Sequence, residues 1–126
     1  MNELPNNAPV FHLNLIRKWF DMIRSGEKPE EYREITAYWR KRFKKHSHIH
    51  VGSTWWPCDK VRVIFSNGYA KDRDQFEARV TGMRFNSEGK PEWGAEPGKE
   101  YFVLEVEVIG DFEKKVNIYL PFLVFK

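Results

Sequence analysis

The chain has 126 residues, 41% apolar, 16% aromatic and 31% charged, which suits one domain around one core. Its formal charge of +3 is compatible with an anionic partner, and no run reaches the ~18 apolar residues of a membrane-spanning helix. The single cysteine, Cys58, excludes an intrachain disulfide and a Cys₂His₂-type zinc site, and points to a reducing compartment, the cytoplasm.

Residues 1–9 are rich in Pro and Asn and read as a lead-in; residues 10–126 form the single domain. The opening stretch has no basic start followed by an apolar core, so it does not read as a signal peptide. Residues 10–15, VFHLNL, alternate apolar and polar and predict a strand. Asn14 is placed to cap a helix, in which Ile16, Trp19, Phe20 and Ile23 share one face. Gly26 ends that helix. Residues 30–35, EEYREI, alternate again and predict a short strand. Thr36 then caps a second helix over 37–43. Residues 46–51, HSHIHV, read as a strand or an extended loop.

Residues 60–66 form a clear strand, and Asn67-Gly68-Tyr69 a tight turn. Residues 75–85 form a strand bent at Gly82, 86–100 a loop, and 101–109 the strongest strand. Residues 110–126 add one or two more strands, broken at Pro121. The connections between strands are too short for crossover helices, so the sheet is expected to be mostly antiparallel. The expected fold is α+β: a small, curved, mostly antiparallel β-barrel flanked by two short helices.

The chemistry concentrates in GEKPEEYR, residues 26–33. On a strand, Glu31 and Arg33 point to one face, and Glu30, Tyr32 and Glu34 to the other. Lys28 lies just before the strand, with a stem long enough to reach Glu31. A carboxylate flanked by two cations then faces an anion or a carbonyl. On spacing alone, the plainer account is a solvated ladder of salt bridges.

The pattern G-x-K-x-x-E-x-R, after a strand and an amphipathic helix, resembles the ASCH domain, a branch of the PUA-like β-barrel superfamily. LIRKWFDMIRSGEKPEEYREITAYWRKRF resembles the N-terminal half of small ASCH proteins. VIFSNGYAKDR resembles a later strand and turn of one ASCH subgroup, including Gly68, Tyr69 and Arg73. The resemblance covers residues 10–109. It implies a small barrel whose cleft is lined by Lys28, Glu31 and Arg33 and takes RNA or a nucleoside. Some ASCH proteins deacetylate N4-acetylcytidine, and others are reported as ribonucleases. In the deacetylating branch, a Lys, a Thr three residues on and a Glu from a later strand do the chemistry. Lys28 matches the Lys, but Glu31 stands where the Thr belongs; Glu77, Glu105 and Glu107 are candidates for the later Glu.

Elsewhere, YWRKRFKK interleaves Arg40, Lys41, Arg42, Lys44 and Lys45 with aromatics, either a phosphate-binding face or an amphipathic helix with wet cations. His46, His48 and His50 recur at spacing two, and the reading carries no metal site and no cofactor. Tyr69 is placed to stack on a base, and Arg73 to meet a phosphate or pair with Glu31. Trp55, Trp56 and Trp93 sit in or near loops and serve as core plugs or cleft walls. Cys58 has no His close in sequence and does not read as a nucleophile.

The expected function is binding of RNA or a modified nucleoside in a basic, aromatic-lined cleft. Lys28, Glu31, Arg33, Arg40, Lys41, Asn67, Tyr69 and Arg73 are the expected ligand contacts. The alternatives are an amidohydrolase or ribonuclease using Lys28 and Glu31 as catalytic residues, and a protein-interaction module built on the Trp loops.

Overall fold

A computed structural model describes residues 4–44 and 46–112. The expected strands of residues 113–126, with Pro121, and the cation Lys45 lie outside these. Strand β1 (Val10–Leu15) runs into helix α1 (Arg17–Ser25) through Ile16. Ile16 rather than Asn14 is the N-cap, and no side chain caps the helix. Gly26 closes α1 at φ 89°, the left-handed conformation that glycine adopts without strain. Phe20 and Ile23 bury the inner face of α1, and the Phe20 ring meets Phe76 edge-on at 4.9 Å.

Strand β2 (Glu30–Glu34) follows, then a single turn of helix, α2 (Ala37–Arg40). The Thr36 side chain accepts from the Trp39 amide at 3.3 Å and starts α2. The helix ends earlier than its sequence pattern predicts, because Phe43 belongs to strand β3 (Phe43–Lys44). With β4 (His48–Val51) and β5 (Thr54–Pro57), β3 makes a three-stranded antiparallel sheet.

The larger sheet adds β6 (Arg62–Asn67), β7 (Gln75–Glu88) and β8 (Glu100–Asp111), in the order β1-β6-β7-β8-β2. Three of its pairings are antiparallel; β1 and β6 run parallel. The long connection between β1 and β6 supplies the crossover that a parallel pair needs. A register shift between Val80 and Gly82 bends β7 where the glycine predicts it.

Among the described residues, the sheet is not closed into the expected barrel. Its edge strands β1 and β2 do not pair. The Arg33 Nη2 donates to the Asn14 backbone oxygen at 2.9 Å, taking a group that a closing strand would use. An open seam is left between the two edges. One apolar core joins both sheets and α1, through Leu13, Phe20, Phe43, Ile49, Phe76 and Phe102 among others. Tyr101, Val103 and Ala95 form a smaller cluster with Tyr32 on the other face of β8. Among the described residues, no helix is long and apolar enough to cross a membrane.

Candidate functional site

The seam between β1 and β2 is a cleft of about 350 Å³. Its walls include Ile16 and Trp19 of the α1 start, Trp39 of α2, and Glu31, Tyr32 and Arg33 of β2. Lys28 reaches this place because Gly26 turns the chain back: the Lys28 amide donates to the Met22 oxygen at 2.9 Å. Its stem then runs inward, and the side chain is only 1% exposed. The ammonium donates to the Glu30 backbone oxygen and to Glu31 Oε1, the latter at 2.8 Å. It lies 4.9 Å from the Tyr32 ring centre and 5.7 Å from that of Trp19. Burial holds the Lys28 pKa below its ordinary value; Glu31 pulls it back up, and Arg33 adds to the lowering.

Glu31 bridges the two cations. Its Oε1 takes Lys28 and its Oε2 takes Arg33 Nη2 at 2.7 Å. The Arg33 guanidinium also lies 4.9 Å from the Trp39 ring centre. Arg33 Nε is buried and has no hydrogen-bond partner among the described residues. Two cations and one carboxylate leave this corner with a net charge of +1. The pairing of neighbours along β2 is therefore as the alternation predicts, but the group is a buried network rather than a solvated ladder. Lys28 does not line the cleft; it sits behind Glu31 and orders it.

The other expected contacts are dispersed. Asn67 ends β6, and its amide oxygen, in the orientation that satisfies its neighbours, accepts from Arg17 Nε at 3.1 Å. Tyr69 is 84% exposed in the following turn and does not line the cleft. Arg73 does not pair with Glu31. It donates to the Ala70 oxygen of its own turn and lies close enough to His12 to help lower that histidine's pKa, after burial. Arg40 lies 5.6 Å from the Phe85 ring centre, and Lys41 lines a groove on the far side of α2.

Of the candidate later carboxylates, Glu77 binds Arg62 at 2.8 and 3.0 Å. Glu105 pairs in register with Glu30, which places it and Glu107 on the face opposite Glu31. None of the three lines the cleft. Among the described residues, no three His, Cys, Asp or Glu side chains gather to hold a metal. Cys58 is buried, and burial pushes its thiol up to about 11, away from the thiolate. Trp55, Trp56 and Trp93 are half-buried rather than exposed.

The sequence pattern assigned Trp19 and Trp39 to helix faces and missed them as cleft walls. Ile16 was the available signal: it carries the apolar stripe to the helix start yet is 65% exposed at the cleft mouth. No family model, curated protein or solved structure matches the chain.

Proposed function

We propose that the protein is an ASCH-type, PUA-like module that binds RNA or a modified nucleoside in the seam between β1 and β2. The supporting observation is the Arg33 guanidinium. It is oriented by Glu31 and Trp39, carries a buried Nε with no hydrogen-bond partner among the described residues, and borders an open cleft walled by Trp19 and Trp39. A fixed donor fork beside aromatic faces suits a base edge or a phosphate. A lone buried cysteine accords with a cytoplasmic location.

A second reading, turnover in the same cleft by Lys28 and Glu31, has one observation in its favour: the lowered Lys28 pKa. Against it, Lys28 is sealed behind Glu31, no hydroxyl stands at the Glu31 position, and Glu105 and Glu107 face away. Binding without turnover is therefore the function assigned.

Fluorescence titration with single-stranded RNA, cytidine and N4-acetylcytidine tests it. Arg33→Ala is expected to weaken binding by about 10- to 150-fold, the worth of a hydrogen bond to a charged group. Undiminished binding by Arg33→Ala contradicts the assignment. Release of acetate from N4-acetylcytidine, lost in Lys28→Met, supports the enzymatic reading instead.

A further inference from the structure

The groove beyond α2 has the same chemistry as the cleft and no role so far. Its volume of about 540 Å³ falls within the roughly 300–1,000 Å³ of small-ligand clefts. It is lined by Phe11, Lys41, Arg42, His50 and Trp55. His50 and Trp55 are opposite each other in the β4–β5 register, so their side chains share a face. Their rings are 4.8 Å apart. The neighbouring pair, Ile49 and Trp56, turns to the core side, where Ile49 is fully buried. The Lys44 ammonium lies 4.3 Å from the Trp55 ring centre.

No carboxylate among the described residues lines this groove. Among the described residues, neither Lys41 nor Arg42 forms an ion pair with one. Arg42 instead donates to the Tyr38 oxygen at 2.8 Å and lies 3.6 Å from the Tyr38 ring centre. Groove and cleft draw residues from the same two elements. The α2 segment sends Trp39 into the cleft and Lys41 and Arg42 into the groove. Strand β1 contributes Leu15 to one and Phe11 to the other, about 13 Å apart at ~3.3 Å per strand residue. A chain crossing α2 from cleft to groove would carry its phosphates past Lys41 and Arg42.

We propose that this groove is a second base-stacking subsite, so that the ligand is a single-stranded RNA rather than a lone nucleoside. The inference rests on the cleft reading above and extends it. Trp55 is the stacking platform, with His50 beside it, and Lys41 and Arg42 take the backbone phosphates. Two linked subsites raise affinity for an oligonucleotide far above that for one nucleotide.

The test compares uridine monophosphate with an oligouridylate of about eight residues, over a range of salt, for the full chain and three variants, Arg33→Ala among them. Trp55→Ala is expected to weaken oligonucleotide binding by about 5- to 150-fold, the worth of one stacked base. The advantage of the oligonucleotide over the mononucleotide collapses with it. The charge-neutralising double variant Lys41→Gln and Arg42→Gln, whose fold is checked by a thermal melt because Arg42 also gives up its Tyr38 contacts, removes both cations without adding like charge. It is expected to flatten the log–log salt slope by about 1.4, or ~0.7 per lost phosphate contact. If the oligonucleotide binds and depends on Arg33, yet neither groove variant changes its affinity or slope, the groove inference is overturned and the cleft reading stands. If binding depends on Trp55 but not on Arg33, the groove stands and the cleft reading fails. Absence of any RNA binding overturns both.

Discussion

At 1% exposure, the Lys28 ammonium has Glu31, the Glu30 backbone oxygen and two aromatic rings around it in place of water. Removing one partner of a buried pair costs more than the pair itself contributes, since the other charge is left desolvated. Lys28→Ala is therefore expected to cost about 3–5 kcal/mol in urea denaturation. Both variants leave Glu31 paired to Arg33, but Lys28→Met keeps most of the volume and opens little cavity, so it should cost distinctly less. The pH dependence has a definite sign. The folded pKa of Lys28 lies below the ordinary 10.5, so between those values the unfolded chain holds more protons, and stability rises with pH. Burial raises the Tyr32 pKa to about 12 from 10.0, which has the opposite effect but only above pH 10. The Cys58 thiol, raised to about 11 from 9.0, opposes the Lys28 effect in both proteins alike, so from pH 8 through 9 to 10 the urea midpoint should climb more, or fall less, in the parent protein than in Lys28→Met. Equal slopes in the two proteins contradict this account.

The elements around the cleft are held by close approach of backbone to side chain. Gly94, which ends a short 3₁₀ turn at Pro91–Trp93, has φ 99°. A Cβ there would lie 2.9 Å from Trp19 Cζ2. Gly94→Ala thus meets both backbone strain and a wall of the cleft. A loss of about 1–3 kcal/mol is expected from the strain alone, with weaker nucleoside binding as Trp19 is displaced. Thermal melts and ligand titrations of the variant check the two effects separately. This contact was not legible in the sequence, because it joins residues 75 apart. What was legible is local. The alternation of VFHLNL and EEYRE defines β1 and β2 closely; Gly26, by lacking a Cβ, and Thr36, by its hydroxyl, mark helix ends. The approach of Glu31 and Arg33 follows from the same alternation, and that of Lys28 from the Gly26 turn and its long stem. The burial of Lys28 does not, since it depends on Trp19 and Tyr32 arriving from other elements. Phe43 shows how the two kinds of information mix. Helical spacing pairs it with Trp39, and the rings do stack at 5.4 Å, yet Phe43 stands on a strand.

At the scale of the molecule, the two sheets share one core, and Phe43 is where they meet. Its ring contacts Phe11 at 5.5 Å, Trp39 at 5.4 Å and Phe102 at 5.5 Å. Phe11 lines the groove and Trp39 the cleft, so one buried side chain stands behind both. Phe43→Ala should cost about 3–5 kcal/mol, from lost transfer energy and the cavity left behind. That is a large share of the ~5–15 kcal/mol that holds a domain folded. Because the core is continuous, the small sheet has no separate stability to lose. Far-UV dichroism, dominated by the large sheet, and tryptophan fluorescence, weighted to the aromatics around α2 and β5, should therefore report one shared transition at a lower midpoint. Two separated transitions would show that the sheets unfold independently and that the groove is carried by its own unit. The milder Phe43→Leu retains enough folded protein for titration. If Trp39 and Phe11 rely on the same backing, nucleoside and oligonucleotide affinities fall together in that variant. If only one falls, the cleft and groove are supported independently despite the shared ring contacts.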